Sequence, residues 1–250
     1  MVIGKKKTFF GVSILWGLVF VLLVVVLIGG PGVHLGLWTP LDGFLLSIKG
    51  SFMGGIALML LSLIVMIIIA MNKNCGGMGK TIVAFLVGLL LAAPVGYLRL
   101  SGGGGVPPIH DISTDMINPP AFKALVGARG EGANSLIYEG EGLAAQQKVF
   151  YPDIQPLMVL DIPEQAFAKA LEVAGNMGWK ITGVDAMAKR FEATDHSLWF
   201  NFADDIVIII TATETGSRID IRCVSRVGTS DLGVNAKRIK AFQESFIRIT

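Results

Sequence analysis

Three long stretches without a charged side chain fill most of the first hundred residues and constrain the fold more than anything else in the chain. No charged residue lies between Lys7 and Asp42, between Lys49 and Lys73, or between Lys80 and Arg99. A hydrocarbon core about 30 Å thick needs about 20 apolar helical residues to cross it. Inside lipid, every backbone polar group must be satisfied within its own segment. The runs therefore predict three membrane-spanning helices, over about residues 9–28, 52–71 and 81–98. Lys5, Lys6 and Lys7 resemble the positive start of a signal peptide, but the first run exceeds the usual signal core of about 7–15 residues. It ends in Gly29-Gly30-Pro31-Gly32, which reads as a helix stop, so an uncleaved anchor is expected.

Between the first two runs, Leu37, Leu41, Phe44 and Ile48 recur at helical spacing beside Trp38. This segment reads as either a short interfacial helix or an apolar loop packed on the bundle. Lys5, Lys6 and Lys7 precede the first span and Lys73 and Lys80 flank the second connection, whereas the first connection has only Lys49. The positive-inside rule then sets the N-terminus and the Lys73–Lys80 loop in the cytoplasm. Three crossings carry residues 101–250 to the other side. The expectation is a multi-pass protein of the bacterial inner (plasma) membrane with a periplasmic domain. Ala84, Gly88, Ala92 and Gly96 fall four apart on the third helix and let another backbone approach, either the chain's own helices or a second copy. Pro94 is expected to kink that helix. No ionisable residue lies inside a predicted span, which disfavours an ion or proton pathway.

Composition agrees. Hydrophobic residues make up 52% of the chain, charged residues 16%, and mean hydropathy is +0.64. These values exclude disorder, which needs low hydrophobicity and high charge, and speak against a single soluble globule. The first hundred residues hold seven Lys or Arg against one acid; the rest hold fourteen against eighteen. The second part is mildly acidic, so nucleic acid is not an expected partner. Cys75 falls in the predicted cytoplasmic loop and Cys223 in the exported domain, which leaves no internal disulfide framework.

Residues 101–108 read as a Gly/Pro-rich linker and 109–250 as an extracytoplasmic domain. The segment 107–122, polar and broken by proline, reads as an ordered loop or arm on the surface. Residues 123–158 give little signal beyond a helical turn at Ala144–Lys148. Asp161 and Glu164 have capping-box spacing before a helix whose apolar face is Phe167, Ala170, Leu171, Ala174 and Met177, ending near Gly178. Strands are expected at 181–186, 190–194, 198–202, 206–213 and 218–224. Ile219, Ile221 and Cys223 should face one way and Arg218, Asp220 and Arg222 the other. A last helix starts near Gly233, with Ile239, Phe242, Phe246 and Ile249 as its apolar stripe. Consecutive short strands between helices predict an α+β domain: an antiparallel sheet with helices packed on one face.

The stretches IHDISTD, ADDIVIII and RCVSRVGTSDLGVNAKRI resemble a bacterial domain-of-unknown-function family, the one numbered 1499, over roughly residues 107–250. Cys223 stands where a serine would be expected. The resemblance implies an envelope location, often with membrane helices ahead of the domain, and no established reaction.

Two constellations carry chemistry. His110, Asp111, Asp115, Asp204 and Asp205 are ligand types for a divalent metal that would activate water; the plain alternative is turn capping and strand ending. Arg222, Ser225, Arg226, Ser230, Asn235 and Arg238 could hold an anion at the start of the last helix, such as an anionic lipid headgroup. The plain alternative is pairing of Arg222 or Arg226 with Asp204 or Asp205. Ser225 and Ser230 lack the elbow pattern of a hydrolase nucleophile, no cofactor motif occurs, and Cys223 has no nearby His. The sequence reading is therefore a non-catalytic, membrane-anchored binding or assembly module for an envelope protein or anionic ligand. The alternative is a metal-assisted hydrolase of an envelope phosphate or ester.

Overall fold

The computed structural model describes residues 7–72, 75–101 and 105–249. Lys5, Lys6, Lys73 and the Gly102–Gly104 part of the linker lie outside the described residues. The chain divides into two compact units, one of residues up to Gly105 together with Trp199–Asn201, the other of the remainder.

Among its described residues, the first unit holds three helices long and apolar enough to cross a membrane: Phe10–His34, Pro40–Met71 and Met78–Leu100. Helix α1 (Phe10–His34) does not stop at Gly29; it runs through Pro31. The expected stop is a packing surface. Any Cβ on Gly29 would collide with Ser47, and one on Gly43 would stand 2.5 Å from the Gly29 carbonyl. Helix α2 (Pro40–Lys49) lies against this strip, with Trp38 Nε1 donating to Gly29 O at 2.8 Å and Ser47 Oγ to Val26 O at 2.8 Å. Thr39 caps α2 through the Asp42 N–H. A π-turn at Gly50–Gly54 joins α2 to α3 (Gly55–Met71) without a break, so the ambiguous 37–48 segment is helix from Pro40 on. Helix α4 (Met78–Leu100) packs on α3. A Cβ on Gly55 would stand 2.6 Å from Gly88 O, so these helices meet backbone to backbone, with Ala84 and Ala92 buried in the same seam. The short strands β1 (Lys7–Thr8) and β2 (Cys75–Gly76) pair in parallel and bring the start of α1 and the α3–α4 connection to one end of the bundle.

The second unit is an antiparallel six-stranded sheet with helices. Its strands are β3 (Asp111–Ser113), β4 (Leu157–Val159), β5 (Lys180–Asp185), β6 (Arg190–His196), β7 (Ala203–Ala212) and β8 (Ser217–Ser225), in spatial order β3-β8-β7-β6-β5. Strand β4 pairs with the other half of β8, on Ser217–Ile219. Helices α5 (Glu141–Phe150), α6 (Pro163–Asn176) and α7 (Val234–Arg248) complete the unit.

Alternation decides what packs where. Ile112, Phe191, Ala193, Ile206, Ile208, Ile219, Ile221 and Cys223 all enter one core. Ala166, Phe167, Ala170, Val173 and Ala174 of α6 and Ile239, Phe242 and Phe246 of α7 close over it. Fully burying an aliphatic or Phe side chain stabilises by about 1.5–3 kcal/mol, so this layer sets the fold. Trp179 stacks on Phe242 with centroids 5.4 Å apart.

Three expectations are corrected and one is extended. The arm at 107–122 contains β3, wholly buried beside β8, because its polar side chains find partners far along the chain. No strand forms at 198–202; Ser197 N–H donates to Phe202 O and Phe202 N–H to Ser197 Oγ, which closes a turn. Asp161 and Glu164 make no capping box, since α6 begins after Ile162 with Pro163 in its first turn. The turn at 144–148 belongs to the longer α5, whose buried Gln147 accepts from Ser113 N–H at 2.9 Å and donates to Ser113 O at 2.7 Å. That amide completes the outer edge of β3 in place of another strand.

Candidate binding site

The second face of the sheet is ionic. Arg222 of β8 forks onto Asp111 of β3, Nε to Oδ1 at 2.9 Å and Nη2 to Oδ2 at 2.7 Å, both side chains within 5% exposure. Its remaining donors reach Pro120 O and Leu136 O, and Phe122 and Tyr138 flank the guanidinium. Beside it, Glu192 pairs with Arg190 at 2.7 Å and accepts the N–H groups of Lys123 and Leu125, while Arg190 donates to Ala121 O. Arg218 pairs with Asp115 and Asp220. These ion pairs hang residues 115–139, which contain only a 3-10 turn at Val126–Ala128, on the sheet; Phe122 and Leu125 meet Val207 and Val224 between them. Burial raises the Asp111 carboxyl above its usual range although Arg222 pulls the other way. Burial, with Asp111 adding to it, pushes the Tyr138 phenol up to about 12.

A second network lies on the helix face. Arg238 of α7 bonds Asp204 at 2.7 Å and Asp195 at 2.8 Å, and its Nη1 donates to Asn235 Oδ1. Asn235 Nδ2 donates to His110 O and Ser225 Oγ, both at 3.0 Å. Asp231 accepts the N–H groups of Gly233 and Asn235, so the amides expected to face an anion are taken by a carboxylate. Ser230 Oγ donates to Pro107 O. Burial pushes the Cys223 thiol pKa up, which leaves it inert as a nucleophile.

The sheet therefore separates the residues singled out from sequence. Asp204 and Asp205 are successive strand residues on opposite faces, one bound to Arg238, the other to Arg226 at 2.8 Å and to Arg129 at 2.7 Å. Asp115 accepts the Ile117 and Asn118 N–H groups and pairs with Arg218. The five candidate metal ligands do not gather, and no group of three or more His, Cys, Asp or Glu suited to a metal occurs among the described residues. The anion set is split likewise: Arg222 and Arg226 on the ionic face, Ser225, Asn235 and Arg238 on the other.

What His110 and Asp111 do share is a cleft of about 190 Å3, walled by Pro108, Ile109, Ser135, Ile137, Glu139, Leu143, Gln146 and Thr229. Among the described residues, the His110 imidazole and the Glu139 carboxylate have no hydrogen-bond or ion-pair partner, in a domain that commits most of its charges internally. Sequence reasoning missed Glu139, Arg129, Arg190 and Glu192. The last two carried a signal: Arg190, Glu192 and Thr194 alternate with Phe191 and Ala193.

Three helices of membrane length followed in sequence by an α+β domain define a class, a two-unit protein whose second unit is an antiparallel sheet with one apolar and one ionic face. The chain belongs to the family described as Protein of unknown function (DUF1499), which matches residues 111–246, from β3 into α7. No curated protein matches the chain.

Proposed function

We propose that this chain is a membrane-anchored binding module, non-catalytic, with its N-terminus in the cytoplasm and its α+β domain outside, in the periplasm of a diderm bacterium. The lysine distribution supports the orientation. The observation that carries the binding role is the cleft at His110 and Glu139, where polar side chains not used by the fold line a concavity. Its size and mixed lining suit a small polar group, free or displayed on an envelope partner. The hydrolase alternative has no observation in its favour, because its five residues lie apart. Two measurements test the reading. A reporter fused after Thr250 should be active only outside the cytosol. After mild detergent extraction, the wild-type chain should retain a partner or small ligand that His110→Ala with Glu139→Gln releases. A cytosolic reporter, or identical co-purified material from both chains, removes it.

A further inference from the structure

The Asp205 carboxylate, fully buried, is shared by two guanidiniums, which leaves one positive charge in excess. Its acceptor capacity is full. Thr194 Oγ1 and Arg226 Nη2 each bond Oδ1 at 2.8 Å, Arg226 Nε reaches both oxygens, and Arg129 Nε sits 2.7 Å from Oδ2. That last contact is an ion pair without hydrogen-bond alignment. Arg129 Nη1 donates to Asn134 O, but Nη2 has no hydrogen-bond partner among the described residues, in a side chain only 5% exposed. A buried, unsatisfied guanidinium donor is costly, and among the described residues no acceptor meets it. Arg226 is 22% exposed, so the pair borders solvent. Arg129 rides on the 126–134 loop, where Val126 is 60% exposed and Gly127, Gly130 and Gly132 have open space beside them. Asn134 pins the end of this loop through bonds to the Ser225, Arg226 and Gly228 carbonyls. Residues 126–133 can lift about that anchor by giving up the Arg226 Nη1–Ala128 O bond at 3.4 Å and the Arg129 contacts, which leaves the Arg226–Asp205 pair in place.

We propose that residues 126–133 form an arginine-bearing flap, anchored at Asn134, that captures a small oxyanion, a phosphate or carboxylate group, between Arg129 and Arg226. The anion neutralises the excess charge and accepts from the unpaired Nη2. This site is separate from the His110–Glu139 cleft, and its test does not depend on that cleft.

The test is thermal unfolding of the full chain. In detergent, inorganic phosphate is compared with chloride at equal ionic strength. In nanodiscs, an anionic phospholipid is compared with a neutral one. At a tenfold excess over Kd, the bound anion should raise the midpoint by about 3–6 °C. Protection by inorganic phosphate identifies a free oxyanion, and protection by the anionic lipid alone identifies a headgroup. In Arg129→Gln the protection should vanish while the anion-free midpoint stays level or rises, since an uncompensated charge is removed; Arg226→Gln should also lose protection. The proposal is overturned if neither anion source protects, if protection survives in Arg129→Gln, or if Arg129→Gln lowers the anion-free midpoint.

Discussion

Arg222 and Asp111 stand 111 residues apart in sequence and meet as a buried, two-pronged ion pair. Removing one partner of such a pair leaves the other charged and unpaired, at a cost of about 3–5 kcal/mol. Arg222→Ala should reach that range, because Pro120 O and Leu136 O lose their donor as well. Asp111→Asn should cost less. A double change to Arg222→Met with Asp111→Leu should recover part of the loss. Denaturant unfolding of the three variants checks the order, and a double variant worse than Arg222→Ala would refute the account.

Tyr138 supplies a pH signature. Its phenol pKa rises from 10.0 to about 12, first through burial and then through Asp111. An acid whose pKa is raised by folding stabilises while protonated. The contribution is complete below the ordinary phenol value and is lost as pH climbs through about 12. Ultraviolet titration of the wild type minus Tyr138→Phe should show a step near 12 in the folded chain. A step near 10 would mean that the ring is solvated.

The small-residue stripe on α4 gives a prediction with two readouts. Gly88 lies against α3, with its Cβ position 2.7 Å from Gly55 O. Gly88→Leu should therefore lower the unfolding midpoint in detergent by several degrees through overpacking. The particle mass by light scattering should not change if Gly88 serves this internal seam. A fall in mass with an unaltered midpoint would assign the stripe to association between copies.

His110 and Glu139 should behave in the opposite way from Arg222. Neither side chain holds anything together, so His110→Ala and Glu139→Gln should each change stability by less than about 0.5 kcal/mol. A large stability loss in either would make the cleft a structural element instead.

The sequence exposed what depends on local periodicity and hid what depends on distant pairing. The apolar helices, the alternation of β8 and the α7 stripe follow from spacing alone, and Ile219, Ile221 and Cys223 do face the helices. Strand β3 was hidden because Asp111, Ser113 and Thr114 look like loop residues until their partners Arg222, Gln147 and Asp220 are in place. The aromatic run at 198–202 misled for a related reason: strand propensity there yields to a turn, with Asn201 at φ 53°. Of the two proposed constellations, the residue types were informative but their grouping was not. Neighbours such as Asp204 and Asp205 point to opposite sides of a sheet. Arg129 and Glu139 lie in the 115–139 segment, which has no periodicity to read.

The pairing of β3 with Val224, Cys223 and Arg222 ties the start of the domain to its last strand. A growing chain delivers β3, β4 and the β5-β6-β7 meander before β8, the strand that joins them, exists, and α7 comes later still. A nascent polypeptide halted before Ser217 would present Ile206, Ile208 and Ile210 with no neighbour on one side, a run prone to self-association. The arrival of β8 and then α7, rather than any shorter length, is thus the point at which the β7 edge and the apolar face of the sheet are both covered.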